Sequence, residues 1–151
     1  MKTSLVILLT LFAFCSIAQT EQLRKKNFNV KNNVAIEGYD PISYFQGKPA
    51  EGDSDLKAEY KGIVYFFAWK KNLELFNANP AQYEPAYGGW CAFAMGETGE
   101  KVKVDPETYK IIDGKLYLFY NFWGNNTLDD WNKKEKELKA RGDKNWMKFI
   151  P

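Results

Sequence analysis

A cysteine set among aromatic residues is the feature of the chain with the clearest chemical potential. The stretch YGGWCAFAMG holds Cys91, one of two cysteines in the sequence, and the stretch GYDPISYF places a carboxylate between aromatic rings. Aromatic walls with a few polar groups are typical of small-molecule sites, so we predict a pocket with Asp40 and Cys91 as its polar groups. The candidate ligand-binding residues are Tyr39, Asp40, Tyr44, Tyr87, Trp90 and Cys91, with Trp123 as a further aromatic candidate.

Three other uses of these residues stay open. Cys91 could serve a thiol enzyme, with Lys115 or Asp40 acting as the base, or it could bind soft Cu(I) together with Met95. In the third interpretation Asp40 opens a turn, the aromatic side chains are core, and Cys91 is a small buried residue. Free cysteines are among the most often buried residues, which favours packing for this thiol. We therefore predict no catalytic residue, no metal site and no cofactor.

The chain contains no histidine. This excludes Ser-His-Asp and Cys-His catalysis, histidine-ligated haem, the HExxH metal site and most zinc sites. The sequence also lacks a P-loop, a GxGxxG turn and an EF-hand loop. Non-catalytic binding of a small apolar or planar ligand is the function that these exclusions favour.

The first 18 residues are typical of a secretory signal peptide. Lys2 precedes an apolar run from Leu5 to Phe14, and a small-x-small ending places the cleavage site after Ala18. The run is shorter than the roughly 20 residues of a membrane-spanning helix, so we expect an exported protein, periplasmic or secreted, with no membrane span after cleavage. Phe14 argues against lipid attachment at Cys15, because a small residue is expected there.

The predicted mature chain carries one more basic than acidic residue and one cysteine, Cys91. A nearly neutral surface gives no electrostatic reason to bind nucleic acid. No disulfide can form within such a chain, which leaves a monomer or a dimer linked through Cys91. We assign residues 19–33 to a polar leader and residues 34–151 to a single domain.

Two hairpins must position the candidate residues. Residues 55–61 alternate between apolar and charged, residues 63–69 are apolar on both faces as in a central buried strand, and Lys61-Gly62 joins them. The second hairpin joins residues 108–112 to 115–120 through Asp113-Gly114, a strong turn signal. The sequence predicts an α+β fold in which a small antiparallel sheet includes both hairpins.

Two helices complete the predicted fold. The first covers residues 70–79 and ends at Pro80, which cannot donate the next helical hydrogen bond. The second begins at Thr127 as the N-cap and carries Leu128, Trp131 and Leu138 on one stripe. We interpret the mixed charges between Lys133 and Arg141 as a solvated face of this helix. Residues 125–127 match an N-glycosylation acceptor, but we explain Thr127 by its role as the helix cap.

Four motifs in this order resemble the exported YHS-domain proteins, and the resemblance covers the chain from about Val34 to the C-terminus. The motifs are GYDPISYF (38–45), YKGIVYFFAWKKNLELFNANPAQY (60–83), YGGWCAFAMG (87–96) and DGKLYLFYN (113–121). The resemblance implies a YHS-like fold.

In metal-binding members of that family the resemblance implies cysteine ligands in DPxC and CSxxC patterns. Ser43 stands at the first of these positions, and Phe67 and Lys71 stand at the other two. A transition metal prefers several thiolates or imidazoles held together. The resemblance thus implies the scaffold of the family without its metal ligands.

Overall fold

The computed structural model describes residues 20–151, so the predicted signal peptide lies outside the described residues. The helices are α1 (residues 20–27), α2 (Lys70–Ala78), α3 (Pro80–Tyr83), α4 (Ala92–Glu97), α5 (Thr127–Lys133) and α6 (Glu135–Trp146). The strands are β1 (Val30–Lys31), β2 (Val34–Ala35), β3 (Asp53–Tyr60), β4 (Ile63–Phe67), β5 (Asp105–Ile112), β6 (Lys115–Phe119), β7 (Asn121–Phe122) and β8 (Asn125–Asn126). Short 3-10 turns cover Ile36–Gly38, Ser43–Gln46 and Ala86–Gly89. None of the described helices is long and apolar enough to cross a bilayer.

The α+β class and both predicted hairpins are confirmed. In the two turns, Lys61-Gly62 and Asp113-Gly114, both residues have positive φ, as a type I′ turn requires. The hairpins do not share a sheet, however: β1-β2-β4-β3 form one sheet and β5-β6 form another. The first hairpin is instead extended by β2, which pairs in parallel with β4, and by β1 beyond it.

Strand β6 lies between two clusters of buried side chains. Successive side chains of a strand point to opposite faces, and here both faces are covered. Leu116 and Leu118 pack with the four-stranded sheet and Phe76 of α2, whereas Tyr117 and Phe119 pack with α4, α5 and α6. The protein therefore has a core on each side of this strand.

The C-terminal helical region differs from the single predicted helix. At Lys134 the backbone leaves helical geometry, with φ −140° and ψ 29°, and this divides α5 from α6. The Trp131 indole N–H spans the break and donates to Glu135 at 3.1 Å. The N-cap is Asn126, whose side chain accepts from the Leu128 N–H at 3.1 Å, and the Thr127 hydroxyl instead donates to the Tyr120 carbonyl at 2.9 Å.

The segment predicted as a polar leader is packed onto the domain. Residues 20–27 form α1, Phe28 belongs to the core, and Arg24 is buried. Arg24 forms a salt bridge with Glu84 and its Nε donates to the Lys61 carbonyl at 3.1 Å. Packed structure thus begins upstream of Val34. The polar composition of this segment predicts exposure to solvent, but these interactions bury its polar side chains.

Candidate functional site

The six predicted site residues fall into separate places. Tyr39, Asp40 and Tyr44 lie on the turns after β2. The two tyrosines contact β5: the Tyr39 hydroxyl donates to Glu107 at 3.3 Å and the Tyr44 hydroxyl to the Pro106 carbonyl at 2.8 Å. Burial raises the pKa of the Tyr44 phenol far above its usual range. These hydroxyl groups hold β5 against the turns.

Asp40 is completely buried, and both oxygens of its carboxylate accept hydrogen bonds. One oxygen accepts from the Ile42 N–H at 2.8 Å, and the other accepts from the Ala68 N–H at 2.9 Å and the Asn72 amide at 2.7 Å. A buried carboxylate is stable only with such partners. Asp40 thereby joins the turn to the end of β4 and to α2, and offers no free oxygen to a substrate.

Cys91 is completely buried and unpaired. Its sulfur accepts from the Tyr120 N–H at 3.4 Å and lies 3.5 Å from the Thr127 hydroxyl, and both groups are neutral. Met95 is also buried but packs in the other core cluster, on the α4–α6 side of β6. In this position the thiol offers no accessible nucleophile.

Tyr87 and Trp90 connect the loop before α4 to helices α1 and α6. The Trp90 indole N–H donates to the Asn27 carbonyl at 2.6 Å, and the Tyr87 hydroxyl donates to Asp143 of α6 at 2.9 Å. Of the six predicted residues, Tyr87 is the one that lines the cavity described next. A ligand-binding role for the other five stays a prediction.

A cavity of about 270 Å³ lies between α1, the loop at residues 84–88, β6 and α6. Its aromatic lining consists of Phe28, Tyr87, Tyr117 and Trp146, and its charged lining of Arg24, Glu84, Lys115 and Asp143. Gly88 has φ +61°, and a Cβ on it would come within 2.8 Å of Trp146 and 2.9 Å of Phe28. The loop can pass this close to both rings because it has no side chain there.

Two ion pairs neutralise most of the charge around this cavity. Arg24 pairs with Glu84, which also accepts from the Tyr65 hydroxyl at 2.6 Å, and the Arg24 guanidinium lies 4.3 Å from the centre of the Phe28 ring. On α6, Asp143 pairs with Lys139 at 3.0 Å. Each carboxylate therefore already has a cation.

Lys115 is the remaining charged residue of the lining. Its Nζ donates to the Ala81 carbonyl at 2.8 Å. Burial lowers the pKa of this amine; the Glu84 carboxylate opposes that effect, and the charge of Arg24 adds to it. Sequence reasoning considered Lys115 as a base, but missed Arg24, Phe28, Glu84, Asp143 and Trp146 as neighbours, because their contacts join segments far apart in the chain.

The positions of the family's metal ligands do not fit a soft metal ion. Ser43 is buried and donates to the Asp40 carbonyl at 2.6 Å, Phe67 is buried in the core, and Lys71 is exposed. Within residues 20–151 there is no group of three or more histidine, cysteine, aspartate or glutamate side chains arranged to hold a metal. These residues supply neither thiolate nor imidazole.

A family model described as the YHS domain matches residues 42–87, about a third of the chain. The match includes β3, β4, α2 and α3, and ends at Tyr87 on the cavity wall. Searches of curated proteins and of solved structures gave no match. Residues 42–87 are thus similar to the YHS domain, and the cavity forms where this segment meets α1, β6 and α6.

Proposed function

We propose that this protein is an exported, non-catalytic binding module of the YHS-domain type, which holds a small planar ligand in the cavity between α1, β6 and α6. The observation that carries the proposal is the aromatic lining by Phe28, Tyr87, Tyr117 and Trp146. Aromatic side chains bury large apolar areas and stack with other planar groups, and cavities with such walls and few polar groups are typical ligand sites.

The burial of Cys91 supports a binding role over thiol catalysis. The thiolate is the reactive form of cysteine, and reactive cysteines lie in electropositive, partly exposed surroundings. Here both hydrogen-bonding neighbours of the sulfur are neutral, and the residue has no exposed surface. A dimer linked through Cys91 would require this region to open first.

Export is a separate part of the proposal and rests on the sequence of residues 1–18. We expect the protein recovered from outside the cytoplasm to begin at Gln19, as measured by intact mass. Recovery of the full-length mass from the cytoplasm would contradict export while leaving ligand binding untouched.

Ligand binding is tested by filling the cavity. Ala86 lines it and is nearly buried, so Ala86→Leu should lower the affinity for planar aromatic fragments by about tenfold or more, because the added carbons occupy the ligand's space. Affinities are measured by ligand-observed NMR with a library of planar aromatic fragments. Ala140→Leu on the exposed face of α6 is the matched control and should leave binding unchanged.

Two results would refute the proposal. One is that the wild-type protein binds none of the fragments at millimolar concentrations. The other is that fragments bind equally to wild type and Ala86→Leu, while denaturant unfolding shows that the variant is folded. The purely structural interpretation of the domain would then be the better one.

A further inference from the structure

The charges of the four charged residues that line the cavity, Arg24, Glu84, Lys115 and Asp143, sum to zero, but Lys115 has no ion-pair partner. Arg24 is neutralised by Glu84, and Asp143 is neutralised by Lys139. Lys115 has no such partner: across residues 20–151, no carboxylate lies within salt-bridge distance of its Nζ. Counted together with Lys139, which pairs with Asp143 from outside the lining, the site holds three cations and two carboxylates, and the unpaired cation is Lys115.

The ammonium group of Lys115 also has unused hydrogen-bonding capacity. A lysine ammonium has three N–H donors, and in the described part of the chain one of them is taken, by the Ala81 carbonyl at 2.8 Å. The side chain is half-buried on the first residue of β6, two residues before Tyr117, so both side chains reach the same cavity. A partly desolvated cation gains more from an anionic partner than one in bulk water.

We propose that the ligand of this cavity is a planar monocarboxylate, whose carboxylate pairs with Lys115 and whose ring lies against Tyr117, Tyr87 and Trp146. This inference rests on the proposed function, since it names the ligand class of the same site. A charge-assisted hydrogen bond fixes one end of the ligand, and the aromatic walls hold the other.

The neighbouring carboxylates explain why the anion carries a single charge. Glu84 and Asp143 also line the cavity, and each is already matched by one cation. With Lys139 included, a monocarboxylate paired with Lys115 balances the three cations against three carboxylates. A phosphate dianion would leave one negative charge uncompensated beside two carboxylates, and a cationic ligand would be repelled by Lys115.

The test compares ligands of matched shape on the full mature protein. The probes are 1-naphthoate, its uncharged amide 1-naphthamide, and 1-naphthyl phosphate, with affinities measured by isothermal titration calorimetry. We expect the wild type to bind the acid about tenfold or more tightly than the amide, the size of effect usual for one hydrogen bond to a charged group. Lys115→Gln should remove that preference while still binding the amide.

The control variant is Lys57→Gln, which removes the same charge from an exposed position of strand β3. It should keep the wild-type preference for the acid. Denaturant unfolding of Lys115→Gln checks that the variant is folded, and a loss of amide binding together with normal folding would contradict the assigned role of Lys115.

The outcomes separate this inference from the proposed function. Equal wild-type affinity for acid and amide, or tighter binding of the phosphate than of the acid, would overturn the monocarboxylate and leave a binding module. Failure of all three probes, together with failure of the fragment library, would overturn the proposed function itself.

Discussion

Asp40 illustrates how a residue with the chemistry of a site can be committed to the fold. Its carboxylate accepts from two backbone N–H groups and from Asn72, and no surface of it is exposed. Asp40→Ala leaves those donors buried and unpaired, so we expect a loss of about 3 kcal/mol in the free energy of unfolding, measured with denaturant. Asp55→Ala, at an exposed position of β3, should change it by less than about 0.5 kcal/mol. Equal effects of the two substitutions would show that Asp40 is not a structural anchor.

The thiol of Cys91 should be protected by its burial. In a Cys15→Ser background Cys91 is the single thiol, and its reaction with a disulfide reagent requires a local opening of the structure. We expect the reaction in native buffer to be slower than in denaturant by about a hundredfold or more, as followed by absorbance. A native rate equal to or above the denatured rate would point to an accessible, activated thiol.

At the scale of single residues, the sequence indicates which side chains could do chemistry but not which side chains surround them in the fold. The rarity of cysteine and the absence of histidine were sufficient to set Cys91 and Asp40 apart. Their neighbours, Tyr120 and Thr127 for the thiol and Asn72 for the carboxylate, come from other elements. No local pattern reports those contacts, so the cavity could not be predicted.

Helices α4 and α6 pack closely because of a glycine. A Cβ on Gly96 would lie 2.5 Å from the Leu138 carbonyl oxygen, which is backbone and cannot turn aside. Gly96→Ala should therefore destabilise the protein by about 2 kcal/mol through overpacking, although alanine is the better helix former.

The control for this packing effect is the reverse change on an exposed face. Ala140→Gly in α6 should also destabilise, by about 1 kcal/mol, through helix propensity alone. If Gly96→Ala proved neutral or stabilising in the same denaturant measurement, α4 and α6 could not be in the close contact described.

The β7–β8 hairpin displays an indole at a strained position. Trp123 is 95% exposed, and it has φ 53° in the turn that it forms with Gly124. The left-handed region costs a non-glycine residue about 1–2 kcal/mol, whereas asparagine adopts it readily in type I′ turns. We expect Trp123→Asn to raise the free energy of unfolding by about 1 kcal/mol.

Phe122→Asn is the matched control for that turn. It removes another aromatic ring from the same hairpin at a residue with ordinary backbone geometry, and should give no gain in stability. A gain of equal size from both variants would mean that exposed aromatic surface, not the turn, is the source of the effect.

At the scale of elements, sequence patterns succeeded where structure is local. The alternating strands and the Asp113-Gly114 turn predicted the hairpins, because register and turn type are set within a few residues. The break at Lys134 and the pairing of β2 with β4 were missed. The pairing of β2 with β4 joins segments that are distant in the chain, and such pairing leaves no periodic signal in either segment.

The whole molecule should unfold in alkali because of buried tyrosines. Burial is the largest cause that raises the pKa of Tyr44, Tyr65 and Tyr87, and the carboxylates of Glu84 and Asp143 raise the last two further. The unfolded chain releases these protons above about pH 10 and the folded protein retains them, so their contribution is complete below that pH and is lost as the pH rises.

We expect each of these three tyrosines to lower the free energy of unfolding by up to about 1.4 kcal/mol per pH unit above pH 10. Tyr44→Phe should reduce the slope by about that amount, measured by denaturant unfolding at several pH values. Tyrosinate absorbance should rise together with loss of structure. Ionisation of every tyrosine before unfolding begins would contradict this account.

Both ends of the described chain contribute walls to the cavity. The Asn27 side chain donates to the Phe149 carbonyl at 3.2 Å across a separation of 122 residues, and Phe28 packs against Trp146 with ring centres 5.8 Å apart. Contacts between such distant residues carry a large loop-closure entropy and tend to form late in folding. The two hairpins, whose contacts are local, can therefore form before these contacts complete the cavity. The same contacts hold one wall of the site, so a local opening of the two chain segments would widen the cavity while both hairpins stay intact.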